Sequence, residues 1–146
     1  MTNSQVSLAD GAFYRWQQLM HQIRDGQLYC SDRAVEIASW NVEGLTDSKL
    51  VELQNYMLEM QLDVLCLQET HKPGAEAYPT EEGFFLILSG GVIGERDHAG
   101  VGFLIAPHAR KYVIGFSEHS DRLATLRLKV TGGQLGVISA YAPHNE

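Results

Sequence analysis

The chain has 146 residues, 45% of them hydrophobic and 20% charged, and its formal net charge is −7. This length and composition are typical of one globular domain with its own core. The negative net charge argues against a protein that coats nucleic acid nonspecifically, because such a protein needs a stripe of basic residues. No apolar run approaches the roughly 18 residues of a membrane span, so we expect no membrane partner. Two cysteines, Cys30 and Cys66, make a disulfide framework unexpected and indicate an intracellular protein, nuclear or cytoplasmic.

Residues 1–34 are predicted to be an N-terminal extension of the main domain. Apolar residues at helical spacing, from Phe13 to Ile23, predict an amphipathic helix over about residues 10–25. A linker at residues 26–34 would follow it. We expect the helix to pack on the domain, and binding to a partner is the alternative.

The main domain is expected over residues 35–146, as an α/β (α+β) fold with a mixed, mainly antiparallel sheet and its helices on one face. The apolar patterns predict one amphipathic helix at residues 47–60. They also predict six strands, at residues 35–41, 62–69, 84–88, 101–106, 123–130 and 135–141. A tight turn at residues 131–134 joins the last two strands. Two further segments, residues 72–82 and 89–100, are expected to be loops.

Polar residues end the two strands that flank the predicted helix. Asn41 closes the first of these strands and Glu69 the second. Because a strand–helix–strand unit brings both strand ends to one edge of the sheet, we expect the two side chains to lie where ligands bind in open α/β sheets. An amide oxygen and a carboxylate suit a hard cation such as Mg²⁺, and Glu43 can add a second carboxylate. Alternatively, Asn41 only serves a tight turn and Glu69 is an exposed loop residue.

A third strand end carries groups that can bind phosphate. The hydroxyl of Tyr141 can hydrogen-bond a phosphate oxygen, and His144 or Asn145 can do the same. Arg122, just before the strand at residues 123–130, is a further candidate for contacting backbone phosphates. The alternative for Tyr141 is an aromatic residue at the rim of the sheet with its hydroxyl in water.

Four short motifs follow one another along the chain. They are Trp-Asn-Val-Glu-Gly at 40–44, Leu-Gln-Glu-Thr-His at 67–71, Ala-Gly-Val-Gly-Phe at 99–103 and Tyr-Ala-Pro at 141–143. Their order and spacing resemble the endonuclease/exonuclease/phosphatase (DNase I-like) superfamily, and most of all the endonuclease domains of LINE-type retrotransposons and the apurinic endonucleases. The resemblance implies a four-layer α/β sandwich and metal-dependent hydrolysis of phosphodiester bonds in nucleic acid, DNA rather than RNA.

The resemblance also implies a role for each candidate residue. Asn41 and Glu69 would hold the catalytic cation, Mg²⁺ or Mn²⁺, with Glu43 close to it. Tyr141 would contact the scissile phosphate. In many relatives an Asn follows the proline of the last motif, whereas this sequence has His144 at that place and Asn145 one residue later. The role of that Asn therefore stays open between these two residues.

The pattern of the superfamily continues beyond Tyr-Ala-Pro with residues that activate water and bind phosphate, and this sequence ends before them. We therefore expect the first half of the sandwich, a truncated form with little or no activity, and an apolar sheet face that is left uncovered. One alternative is a non-catalytic module that binds a protein partner, or a second copy, through that face. Another is a phosphatase or deadenylase of the same superfamily.

Overall fold

The computed structural model describes residues 28–30, 33–92 and 99–142, together with the backbone of residues 3–8 and 11–17. These residues form one α-helix, α1 (Asp47–Glu59), a 3₁₀ helix (Pro107–Tyr112) and twelve strands. The strands are β1 (Asn3–Leu8), β2 (Gly11–Gln17), β3 (Tyr29–Cys30), β4 (Arg33–Ala34), β5 (Glu36–Asn41), β6 (Val64–Gln68), β7 (Ala75–Pro79), β8 (Phe85–Ser89), β9 (Val101–Ile105), β10 (Val113–Ser120), β11 (Leu123–Val130) and β12 (Gly133–Ala140). No helix in the described part of the chain is long and apolar enough to cross a membrane.

Seven strands form one large sheet in the order β1-β2-β5-β6-β9-β8-β7. β5 and β6 are parallel, and the other neighbouring strands in this sheet are antiparallel. The parallel pair is joined by α1, as a crossover connection requires. The predicted α+β class with a mixed, mainly antiparallel sheet is therefore confirmed.

Helix α1 covers one face of the large sheet. Its N-cap is Thr46, whose hydroxyl accepts a hydrogen bond of 3.2 Å from the Lys49 amide. Its apolar side carries Leu53 and Met57, which are fully buried and pack in one cluster with Trp40 and other residues of the sheet. This burial, rather than helix propensity, supplies most of the stability of a helix of this length.

The opposite face of the large sheet is covered by a second sheet, in the order β10-β11-β12. β11 alternates between buried and exposed residues, and its buried side packs in one cluster with Cys66 and Phe103 of the large sheet. The prediction of an uncovered apolar face is therefore wrong. The sequence did not indicate β10, because its second half consists of exposed polar residues that hide the strand pattern. The surface proposed for a protein partner or a second copy is thus the interior of the molecule.

The N-terminal segment also differs from the prediction. A helix was expected over residues 10–25, but residues 11–17 form β2, which pairs with β1 and with β5. Without β2, β5 would expose a row of unpaired backbone groups at an edge of the sheet. Phe13, Tyr14 and Trp16 are residue types that favour strands, and periodicity alone does not reveal a pairing partner that is distant in sequence. Residues 18–27, the rest of the predicted helix, lie outside the described residues.

Two predicted connections contain short strands as well. The expected linker at residues 26–34 holds β3 and β4, which pair as a hairpin, and its residues Leu28 and Cys30 are buried in the core. The expected loop at residues 72–82 holds β7, which pairs with β8 at the edge of the large sheet. All five residues of β7 are exposed, so this strand has no alternation of apolar and polar residues that a sequence pattern can show.

Candidate active site

Asn41 and Glu69 lie at the same edge of the large sheet. Asn41 is the last residue of β5 and pairs in parallel register with Gln68, the last residue of β6. Glu69 is the next residue of the chain. The structure therefore places the two candidate ligands on neighbouring strand ends, as the strand–helix–strand unit requires.

The two loops that follow these strands are tied together by backbone hydrogen bonds. The amides of Val42, Gly44 and Leu45 donate to the carbonyls of Gln68, Glu69 and Thr70, at 2.9, 2.7 and 2.9 Å. This ladder continues the pairing of β5 and β6 beyond the sheet. The candidate ligands are consequently carried by paired backbone rather than by two independent loops.

Three non-glycine residues of these loops have left-handed backbone conformations. The φ angles are 50° at Glu43, 52° at Glu69 and 58° at His71. An L-residue in this region costs roughly 1–2 kcal/mol, and such costs cluster at functional sites, where the surrounding structure enforces them. The backbone ladder is the structure that enforces this conformation at Glu69.

The side chain of Asn41 is oriented by its own turn. Its Oδ1 accepts a hydrogen bond of 3.1 Å from the Glu43 amide, which is the local contact that Asn makes in tight turns. An amide oxygen has two lone pairs, so this contact leaves one for a cation. The turn role and the ligand role of Asn41 are therefore compatible.

Glu69 is in direct contact with Tyr141, although 72 residues separate them in sequence. The Tyr141 hydroxyl donates to Oε1 of Glu69 at 3.1 Å. Both side chains are partly buried, and the ring of Tyr141 packs against the core between the two sheets. The structure thus brings together a candidate metal ligand and a candidate phosphate contact from different sheets.

A chain of polar side chains lies directly behind this edge. Ser39 donates to Oε1 of Gln68 at 3.1 Å, and Nε2 of Gln68 donates to the hydroxyl of Ser139 at 3.2 Å. Ser139 in turn donates to the Leu67 carbonyl at 2.9 Å. The chain joins β5, β6 and β12, so it fixes the strand ends that carry Asn41, Glu69 and Tyr141.

Sequence reasoning did not identify Gln68 and Ser139 as parts of the site. The sequence did contain an indication of this role, because Ser139 falls on the buried side of β12 together with Leu135 and Val137. Buried polar side chains are almost always hydrogen-bonded. A serine in an apolar strand face therefore indicates a polar partner on the facing sheet.

The turn between β10 and β11 is fixed against the same edge. The Gly100 amide donates to the Asp121 carbonyl at 2.8 Å, and the Tyr141 amide donates to the Arg122 carbonyl at 3.0 Å. Gly100 has φ +107°, and a Cβ there would lie 2.3 Å from the hydroxyl oxygen of Thr70, so only glycine fits. Arg122, exposed to solvent, is thereby held beside Tyr141.

The remaining candidates differ in position. Glu43 lies in the loop after β5 and is exposed, whereas His144 and Asn145 lie outside the described residues. In the part of the chain that the structure describes, no three His, Cys, Asp or Glu side chains form a group that could hold a metal ion. Asn41 and Glu69 themselves supply oxygens, the donor type that hard divalent cations take.

Comparison with models of protein families gives a match to this chain. Residues 38–145, about three quarters of the chain, match the model of the endonuclease/exonuclease/phosphatase family. The matched region contains Asn41, Glu69 and Tyr141, and the polar chain from Ser39 to Ser139. No curated protein matches the sequence.

Proposed function

The chain belongs to the endonuclease/exonuclease/phosphatase family, and from this premise we propose that it is a nuclease that hydrolyses phosphodiester bonds of DNA with the help of Mg²⁺ or Mn²⁺. The observation that carries the proposal is the hydrogen bond of 3.1 Å between Tyr141 and Glu69. It joins a phosphate-binding hydroxyl to a carboxylate at the edge where β5 and β6 end.

The oxygens at this edge fit a hard divalent cation. Glu69 offers a carboxylate with one oxygen held by Tyr141, and Asn41 offers an amide oxygen with one lone pair used in its turn. Glu43, an exposed residue two positions after Asn41, is proposed as a second carboxylate. When bound, a divalent cation supplies Lewis acidity, which polarises a phosphoryl oxygen.

The protein residues would bind and orient the phosphodiester. Tyr141 has a single hydroxyl proton, which it donates to Glu69 in this structure. Once the Glu69 carboxylate turns to a bound cation, Tyr141 can donate this proton to a phosphate oxygen instead. Arg122 is fixed next to Tyr141 through its backbone, and its guanidinium can bind a neighbouring phosphate in bidentate fashion. His144 and Asn145 follow Tyr141 in sequence and are proposed as further phosphate contacts.

Within the family, we propose an origin in the endonuclease of a LINE-type retrotransposon. The support is the order of the four motifs at 40–44, 67–71, 99–103 and 141–143. On this proposal the substrate is DNA, and the protein acts in the nucleus or cytoplasm.

A plasmid assay tests the activity and the two residues that carry it. Supercoiled plasmid would be incubated with the protein in Mg²⁺ or in EDTA, and nicked circles would be quantified. We expect weak nicking that requires the cation, that is lost in Glu69→Ala and that falls about tenfold in Tyr141→Phe, on the scale of one lost charge-assisted hydrogen bond. The matched controls are Glu76→Ala and Tyr78→Phe, on the exposed strand β7, which should nick like the wild type.

Nicking that persists undiminished in Glu69→Ala would contradict the metal role of this residue. Release of inorganic phosphate from a phosphomonoester, without any nicking, would instead assign the protein to the phosphatases of the family.

A further inference from the structure

A pocket lies at the opposite end of the strands of the large sheet from Asn41 and Glu69. It has a volume of about 370 Å³ and is lined in part by Arg33, His108 and Lys111. These residues lie just before β5 begins and just after β9 ends, whereas Asn41 ends β5. We propose that this pocket binds a small phosphate monoester through Arg33 and Lys111, independently of the cation site.

A buried carboxylate holds two of the basic side chains in place. Oδ1 of Asp63 accepts hydrogen bonds from Nη1 of Arg33 at 2.6 Å and from Nε2 of His108 at 2.7 Å. Its Oδ2 accepts from the Glu36 amide at 2.7 Å. Because a carboxylate can only accept, His108 carries a proton on Nε2. A buried charge with this many partners is well satisfied, so the guanidinium of Arg33 is oriented before any ligand arrives. The Nε2 proton of His108 is already used by Asp63, so His108 serves to position the carboxylate.

The guanidinium of Arg33 also neutralises an unfavourable feature of the pocket. Helix α1 ends at Glu59, and the carbonyls at a helix C-terminus repel anions. Nη2 of Arg33 lies 3.3 Å from the Gln61 carbonyl, just after this helix. Arg33 therefore shields the anion pocket from the end of the helix while its remaining N–H groups can donate to a ligand.

The third basic group, Lys111, is not part of the Asp63 cluster. Its Nζ lies 5.3 Å from the centroid of the Tyr112 ring, and both residues line the pocket. With Arg33 and Lys111 charged and Asp63 as the counter-charge, the pocket carries a net positive charge in a protein of net charge −7. Such a local excess of positive charge attracts anions.

The other walls indicate what is attached to the phosphate. Leu58, Gln61 and Tyr112 complete the lining, so an apolar surface and an amide face the cationic side. The volume lies at the lower end of the range of about 300–1,000 Å³ for small-molecule sites. The pocket thus suits a phosphate group that carries a small organic part of nucleoside size.

Calorimetric titrations in EDTA test the pocket without any contribution from a cation. The probes are adenosine 5′-monophosphate, inorganic phosphate and adenosine. We expect saturable 1:1 binding of the monophosphate, weaker binding of phosphate and none of adenosine. Lys111→Ala should weaken monophosphate binding about tenfold, the effect of losing one charge-assisted contact. Circular dichroism would verify that the variant is folded.

Lys129→Ala is the matched control, since Lys129 is an exposed lysine on the small sheet and should leave the affinity unchanged. Three results would each overturn the proposal. They are an equal loss of monophosphate affinity in Lys111→Ala and Lys129→Ala, equal affinity for adenosine and its monophosphate, and no binding of any probe. Glu69→Ala should bind the monophosphate like the wild type, so failure of the nuclease proposal and failure of this one are distinguishable.

Discussion

Glu69 combines an unfavourable backbone conformation with a long-range hydrogen bond. Its φ of 52° lies in the left-handed region, which glycine adopts without cost and other L-residues do not. The loop after β6 nevertheless carries a glutamate there, in contact with Tyr141. The proposed ligand role gives a reason for keeping a carboxylate at a position where the backbone favours glycine.

This conflict predicts a difference between two variants that both lack the carboxylate. Glu69→Gly should be more stable than Glu69→Ala by about 1 kcal/mol in free energy of unfolding, because glycine relieves the left-handed strain. Neither variant should bind Mn²⁺, which electron paramagnetic resonance can measure. Urea unfolding of the pair gives the stability difference. An alanine variant as stable as the glycine variant would show that the backbone at this position is not strained.

The strands that carry the site are joined by the polar chain through Gln68 and Ser139. Ser139 is 1% exposed, and its hydroxyl both accepts from Gln68 and donates to the Leu67 carbonyl. Ser139→Ala would leave the buried Leu67 carbonyl and the partly buried Gln68 amide without this partner, which costs about 1–3 kcal/mol. We expect a loss of this size in urea unfolding. Ser117→Ala on β10, where the serine is exposed, should change stability by less than about 0.5 kcal/mol. If Ser139→Ala and Ser117→Ala lose the same free energy of unfolding, the polar chain through Gln68 and Ser139 does not stabilise the strand ends.

The elements differ in how far the sequence could predict them. β6 and β9 are short apolar runs, and α1 has a clear apolar stripe, so local patterns were sufficient for these elements. The pairing of β2 with β5 and of β7 with β8 depends on partners distant in sequence. β10 was missed for another reason, since its exposed half has no apolar alternation.

The candidate site was predictable only in part. Asn41 and Glu69 each end an apolar strand with a helix between them, so the sequence was enough to predict that their backbones lie at neighbouring strand ends. The contact between Tyr141 and Glu69 depends on how the small sheet packs against the large one. Local sequence patterns do not predict this packing. The anion pocket was not foreseen, because Arg33, His108 and Lys111 come from segments that pack together only in the folded chain.

At the scale of the whole molecule, the central strands β6, β8 and β9 of the large sheet are buried on both faces, between α1 and the small sheet. Cys66 lies in the interior between the sheets, and burial raises the pKa of its thiol from 9.0 to about 12. Burial, with a smaller effect of the Asp63 charge, raises the pKa of Cys30 to about 11. Both cysteines are free thiols.

These raised pKa values predict that the fold loses stability in alkaline solution. The unfolded thiol ionises near pH 9, whereas the folded protein keeps it protonated, so the stabilisation is complete below pH 9 and is lost as the pH rises towards 12. Between pH 9.5 and 11, Cys66 should lower the free energy of unfolding by about 1.4 kcal/mol per pH unit. Urea unfolding of the wild type and Cys66→Ala over this range measures the difference in slope. Identical slopes would contradict the prediction, whatever the cavity in the variant does to absolute stability.

The contact between Glu69 and Tyr141 also has a consequence for the order of folding. A loop of 72 residues must close before these side chains meet, and such long-range contacts form late because chain entropy opposes them. α1 and the hairpin of β11 and β12 depend on local contacts and can form earlier. Recovery of Mn²⁺ affinity during refolding should therefore lag behind recovery of secondary structure, so that the cation would report the final docking of the two sheets.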